Sequence, residues 1–396
     1  MRIAVLAEHH SDETRVAATP EVVKKYAGLG FEVAIETGAG SRSGLADGEY
    51  ETAGAIVAAS RAEALREADV VLAVRRPGPG ELEGVRRGAL VVAQMDPYGQ
   101  DAAIRGLAET GVSAFAMEFL PRITRAQVMD VLSSQANLAG YRAVIDAAAE
   151  YGRAFPMMMT AAGTVPAARL FVMGAGVAGL QAIATARRLG AVVTATDVRP
   201  AVKEQVESLG AKFVAVEDEE FRAAETAGGY AKEMSEAYRA KQAELVAAHI
   251  AKQDMVITTA LIPGRPAPRL VTRAMVEAMR PGSVIVDLAV ERGGNVELAE
   301  AGKVVDHNGV KIVGHRNVPG RLAASASALY ARNLYAFVET LVDKGTKSLA
   351  VKWDDELVKA TLLTRDGAVV HPGLQAQTQA PAQAENQVEA QKQVEA

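Results

Sequence analysis

The chain has 396 residues, no cysteine, and a formal charge of −5 with a pI near 5.8. That length accommodates two domains with separate cores, the acidic balance excludes the basic footprint of a nucleic-acid binder, and the absence of cysteine excludes disulfides and thiolate zinc centres. Hydrophobic residues make up 49% and aromatics 5%, as in an Ala/Val/Gly-rich α/β protein, and the longest apolar run, residues 170–180, is well short of a membrane span.

The first 120 residues read as alternating strand and helix signals, with strands predicted at 3–7, 31–36, 70–74, 90–93 and 112–117. Met1-Arg2 leads directly into the first of these, so no signal peptide is expected. Thr19 with Pro20 predicts a helix start, and Gly28 or Gly30 its end. Ser60 followed by Glu63 has the form of a capping box. Strands that alternate with helices imply a parallel sheet joined by right-handed crossovers. From Thr124 to about Tyr151, apolar residues at spacings of three and four predict one long helix leading to a second domain.

The second domain centres on residues 170–199, LFVMGAGVAGLQAIATARRLGAVVTATDVR. An apolar strand meets Gly174, Gly176 and Gly179 in G-x-G-x-x-G order, followed by an amphipathic helix and a second strand ending at Asp197, 18 residues beyond Gly179. The first glycine permits the turn, the second lets backbone approach a pyrophosphate, and the third lets the helix lie close on the strand. Ala175 and Val177 complete that turn. Asp197 stands where a carboxylate accepts hydrogen bonds from an adenosine ribose and repels a 2′-phosphate, so the expected cofactor is NAD(H). Val198 and Arg199 follow it along the same edge. Further strands are predicted at 212–216, 255–259, 284–288 and 311–313, six in all, in a doubly wound sheet.

Residues 322–343 are again helical and are expected to return to the first domain, making it discontinuous. The expected division is 1–125 plus 325–373 for an N-terminal α/β domain, 139–324 for a Rossmann domain, and 374–396 for a tail. In that tail 13 of 23 residues are Gln or Ala, too little apolar surface to fold alone, so it is expected to be disordered.

Several residues could carry chemistry. Gln127, Asp130 and Ser133, three apart and near Arg122, would share one helix face and could hold a nicotinamide carboxamide. The pattern also fits a Thr124–Gln127 capping box on a solvated face. Tyr230 beside Gly228-Gly229 could be a lid ring or a local core residue. Thr259, Ala260 and Leu261 leave a strand on the edge where such sheets bind ligands. Asp287 is a further cleft-facing candidate, and Arg15 could bind an anion or form a surface ion pair. The six histidines have no metal-ligand spacing.

The stretches RAQVMDVLSSQANLAGYRAVI, FPMMMTAAGTVPAARLFVMGAGVAGLQAIATARRLGA, AETAGGYAKEMSE, TTALIPGRPAP and GHRNVPGR resemble the family shared by alanine dehydrogenase and the NAD(H)-binding domain of proton-translocating nicotinamide nucleotide transhydrogenase. The likeness covers about residues 1–373 and is strongest to the transhydrogenase branch. It implies two Rossmann-like domains joined by long helices. It also implies that Arg122, Gln127, Asp130 and Ser133 meet the nicotinamide, that Asp197 binds the adenosine ribose, and that Tyr230 sits on a mobile loop. Alanine dehydrogenases carry a lysine in a K-V-K-E-P-like stretch and a histidine soon after. Here those stretches read Ala73-Val74-Arg75-Arg76-Pro77 and Ala93-Gln94-Met95-Asp96-Pro97, without either group. The resemblance therefore implies hydride transfer of the Si/Re-specific type to NADP(H) on a partner β subunit. It further implies a membrane-spanning proton-channel subunit, a homodimer, and a peripheral place on the cytoplasmic side of the inner membrane.

Overall fold

A computed structural model describes residues 1–222 and 234–375. The chain forms two compact units: Met1–Gln135 together with residues from Ala323 onward, and Ala136–Leu322. Each is built on a sheet of its own, and the fold is α/β with two Rossmann-like sheets.

The sheet of the first unit has eight strands, in the order Ala368–Val369, Leu362–Arg365, Ser113–Ala116, Leu90–Gln94, Val70–Arg75, Arg2–Val5, Glu32–Glu36 and Ile56–Ala58. Its six central and far strands run parallel, and only the last pair before the C-terminus is joined by antiparallel ladders. Alternate residues of each strand serve different cores. Ile3 and Val5 join Val22, Tyr26, Tyr330 and Phe337, whereas Ala4 and Leu6 join Ile104, Leu107 and Val112. Both faces are covered, which is why these strands read as continuous apolar runs. Leu374, assigned to the tail from its composition, is instead buried in the second of these cores. The rest of the tail, from residue 376, lies outside the described residues.

The sheet of the second unit has seven strands, in the order Lys212–Phe213, Val192–Thr196, Arg169–Met173, Met255–Thr258, Val284–Asp287, Val310–Val313 and Val304–His307. The sequence predicts six. The seventh, Val304–His307, pairs antiparallel with Val310–Val313 through a turn in which Asn308 and Gly309 both have positive φ, 54° and 80°. That is the backbone of a two-residue hairpin turn, and Asn-Gly supplies it at least steric cost. Asp366-Gly367, with φ of 51° and 83°, does the same between Leu362–Arg365 and Ala368–Val369. A further small hairpin pairs Met158–Thr160 with Gly163–Val165.

The long helix expected from Thr124 is two elements. Thr124–Met129 is a 3-10 turn, Asp130 leaves helical geometry with φ −70° and ψ 92°, and the α-helix runs over Val131–Glu150. The expected Thr124–Gln127 capping box is absent, since Ile123 precedes the turn and no side chain caps it. Ser60 does cap its helix, accepting from the Glu63 amide at 3.3 Å, but Glu63 reaches back to the Ala59 amide at 2.9 Å.

Candidate functional site: the glycine turn and the residues around it

In the second unit the strand Arg169–Met173 has Val192–Thr196 on one side and Met255–Thr258 on the other. Chain order reverses there, so the carboxyl end of this strand opens the crevice where ligands of such sheets bind. The three glycines differ in what constrains them. Gly174 has φ +102°, and a Cβ on it would stand 2.6 Å from Thr259 Oγ1. Thr259 Oγ1 donates to the Gly174 carbonyl at 2.9 Å, tying the turn to the next strand. Gly179, inside the helix Val177–Arg188, would put a Cβ 1.8 Å from the Gly174 carbonyl oxygen. Gly176 is the N-cap of that helix, with no side-chain cap on it and nothing within 4 Å of an added Cβ.

An uncapped helix N-terminus beside open space is a site for an anion, because its first amides and the aligned peptide dipoles face outward. The residues present therefore fit the pyrophosphate of a dinucleotide. Around the turn, Val177, Val198 and Leu261 are exposed apolar side chains. Ala260 is held from behind by the fully buried Asn295, which accepts from the Ala260 amide at 3.0 Å and donates to the Ala260 carbonyl at 2.9 Å.

Asp197 lies at the end of the neighbouring strand. Its Oδ2 accepts from the Ala175 amide at 2.8 Å, joining it to the glycine turn. Arg199 grips the same carboxylate through its backbone amide, Nε and Nη2. Burial alone would raise the Asp197 carboxyl, but Arg199 and the Ala175 amide hold it below the usual range. The Asp197–Arg199 pair was not visible in the spacing of the motif. Tyr230, with Gly228 and Gly229, falls outside the described residues.

Asp287 does not face a cleft. It is fully buried and accepts from the amides of Ala289 at 2.8 Å and Val296 at 3.0 Å, and from Thr258 Oγ1 at 3.2 Å. Burial raises its carboxyl above the ordinary value. Its work is to shape the turn that carries Asn295.

In the first unit, Gln127, Asp130 and Ser133 do not share one helix face, because the helix begins after Asp130. Asp130 caps it instead: Oδ1 accepts from the Ser133 amide at 2.9 Å and Oδ2 from Ser133 Oγ at 2.5 Å. Arg122 and Gln127 are exposed on the preceding segment, with Val128 65% and Leu132 51% exposed beside them. The segment is anchored from beneath by buried Ala126 and Met129, and by Asn333, which donates to the Val128 carbonyl at 2.8 Å. Arg125 adds a two-pronged pair with Asp355 at 2.9 and 2.7 Å.

Charged residues also meet at the strand ends of this unit, a cluster that sequence reasoning missed apart from Arg15. Arg15 is buried rather than on the surface. Its Nε and Nη2 donate to the two oxygens of fully buried Glu13 at 2.8 Å each, and its Nη1 to Gln135 at 2.9 Å. Arg75 donates to Glu13 Oε2 at 2.9 Å as well. Burial works to raise the Glu13 carboxyl, but these guanidiniums outweigh it and bring it to about 2. Glu8 goes the other way, to about 7, through burial and the nearby Glu13 charge. Arg76 donates to the carbonyls of Met95 and Asp96, the latter at 3.1 Å. Among the described residues no group of His, Asp and Glu has the arrangement of a metal site, and no helix is long and apolar enough to cross a membrane.

Known proteins resemble this chain over nearly its whole length. The family models described as the N-terminal and C-terminal domains of alanine dehydrogenase/PNT match residues 4–139 and 143–372. The chain is 58% identical over 382 residues to the first portion of the NAD(P) transhydrogenase alpha subunit of Rhodospirillum rubrum, covering 95% of this chain and 100% of that one. The crystal structure of a transhydrogenase from Sinorhizobium meliloti superposes with a TM-score of 0.85 at 64% identity, covering 93% of this chain and all of that one. An alanine dehydrogenase of Halomonas elongata is 30% identical over 382 residues, 94% of this chain and 95% of that one.

Proposed function

The chain belongs to the alanine dehydrogenase/PNT family, and from that premise we propose that it is the NAD(H)-binding component of a proton-translocating nicotinamide nucleotide transhydrogenase. NADH bound here would give its hydride to NADP+ held by a partner domain of a β subunit, coupled to proton movement through a membrane-spanning subunit. The chain would act as a homodimer at the cytoplasmic face of the inner membrane.

The observation that carries the reading over a dehydrogenase is the closure of the strand-end charges on one another. Arg15 and Arg75 both bind Glu13, and Arg75 and Asp96 stand in the stretches where the dehydrogenase branch keeps a lysine and a histidine. Oxidising an amine or alcohol needs a base to take a proton as hydride leaves. Hydride passing between two nicotinamides releases no proton at the reacting carbons, so positioning and exclusion of water suffice.

The residues divide the work accordingly. Gly174, Ala175, Gly176, Val177 and Gly179 form the pyrophosphate turn, while Asp197, Val198 and Arg199 border the adenosine ribose. Thr259, Ala260 and Leu261 line the exit of the next strand, and Tyr230 closes over the nucleotide. Arg122, Gln127, Asp130 and Ser133 orient the nicotinamide, with Asp130 and Ser133 fixed by their mutual capping bonds.

Spectrophotometry of the lone chain with NAD+ and alanine tests this against the dehydrogenase reading. No NADH should accumulate although NADH binds in a parallel titration. Robust alanine-dependent reduction would overturn the proposal.

A further inference from the structure

The carboxylate at the end of the second Rossmann strand is already saturated with donors. Asp197 Oδ1 accepts from the Arg199 amide at 2.9 Å and from Arg199 Nε at 2.9 Å, while Oδ2 accepts from the Ala175 amide at 2.8 Å and from Arg199 Nη2 at 3.0 Å. A carboxylate offers about four lone-pair positions. All four are therefore taken, and a ribose diol can donate to Asp197 only if some present donor leaves.

The donors are not equally free to leave. The Ala175 and Arg199 amides are part of the backbone turn, and they hold the carboxylate in orientation by themselves. The guanidinium ends a flexible side chain that is 32% exposed, against 6% for Asp197. It is the part that can swing away, at the cost of a charge-assisted two-pronged contact.

We propose that Arg199 is a specificity-determining residue: its guanidinium competes with the ribose diol for Asp197 and, once displaced, is the group that meets a 2′-phosphate. The inference rests on residues 170–199 being the NAD(H) site. Together the two side chains sum to zero charge, so the carboxylate alone does not set the selectivity against a phosphorylated ribose. Removing the guanidinium must then act in opposite directions on the two nucleotides. NADH loses a competitor and binds more tightly. NADPH loses the cation that offsets Asp197 and meets a bare carboxylate. If Arg199 merely kept Asp197 in place, removing it would weaken NADH and leave NADPH unweakened.

The test is equilibrium fluorescence titration of the full chain with NADH and with NADPH, using wild type, Arg199→Ala, Arg199→Lys and Asp197→Asn. Arg199→Ala should tighten NADH about threefold and weaken NADPH about tenfold, the loss of one strong ionic contact. Arg199→Lys keeps the charge without the fork and should fall between, and it serves if the alanine variant melts early. Asp197→Asn should weaken NADH while narrowing the gap to NADPH. Weakened NADH binding in Arg199→Ala, or an unchanged ratio of the two affinities, would remove the Arg199 role while leaving the NAD(H) site standing. Wild type binding neither nucleotide would bring down the site itself, and this inference with it.

Discussion

Two alanine substitutions in the same glycine turn should have opposite signatures. At Gly179 a methyl would lie 1.8 Å from the Gly174 carbonyl oxygen, 2.8 Å from its carbon and 3.3 Å from Val172 Cγ1. Ordinary contact needs about 3.4 Å, so backbone must shift by roughly 1.5 Å, and no flexible side chain is there to absorb it. Overpacking of this kind costs about 1–3 kcal/mol, against a helix-propensity gain of about 1 kcal/mol for alanine over glycine. A contact of 1.8 Å with backbone puts the cost at the upper end of that range, so Gly179→Ala should lose about 2 kcal/mol net of the propensity gain. At Gly176, with φ −76° and ψ −165°, any residue fits, and nothing lies within 4 Å of the new methyl. Gly176→Ala should stay within about 1 kcal/mol of wild type, because the gain of about 0.4–1 kcal/mol from restricting the unfolded chain is offset by the poorer standing of alanine at a helix N-cap. Its methyl nevertheless fills the space through which backbone would approach a pyrophosphate, so NADH should weaken by more than about tenfold. Thermal unfolding by circular dichroism and NADH titration on each variant separate the two effects. Unchanged NADH affinity in Gly176→Ala, or parallel loss of stability and affinity in both variants, would refute the assignment of the turn.

The first unit sets further expectations. Glu8 is raised to about 7, so between its ordinary value near 4.5 and 7 the folded state holds more protons than the unfolded one, and stability should fall as pH rises through that window. Glu8→Gln should flatten the fall and gain about 1–3 kcal/mol at pH 8, measured by urea unfolding across pH. Glu13, brought to about 2, contributes stability that is lost only as pH drops from its ordinary value toward 2. Arg15→Ala strands Glu13 beside Arg75 alone and should cost about 3–5 kcal/mol, and adding Glu13→Gln should recover part of it in a double-mutant cycle. Asp130→Ala removes a helix cap and should cost about 1 kcal/mol, with a larger proportional loss in hydride transfer than in NADH affinity.

What could be read from the sequence depended on how local each signal is. The glycine turn was legible because Gly174 and Gly179 each answer a separate steric demand within a few residues, with Gly176 between them beside open space, and the central strands because burial on both faces leaves long apolar runs. The break at Asp130 was not. The apolar spacings of three and four begin at Val128 and run on through Leu132 without marking the break between them, and only the Asp130 carboxylate on the Ser133 amide and hydroxyl marks the true start. The edge hairpins were written in the sequence as Asn308-Gly309 and Asp366-Gly367 but flank strands of two to four residues, too short for alternation to register. Asp287 was misplaced because a carboxylate at a strand end looks the same whether it faces a crevice or folds back on the next turn. The Arg15–Glu13–Arg75 group was only half legible, because Glu13 and Arg15 are two residues apart whereas Arg75 joins them across 62 residues of chain.

The most direct test of the central claim is stopped-flow hydride transfer between NADH and an NADP+-loaded partner domain, with and without this chain. Rapid transfer is expected when both are mixed, none from either alone, and no dependence on alanine. Silence in the mixture, with NADH bound, would contradict it.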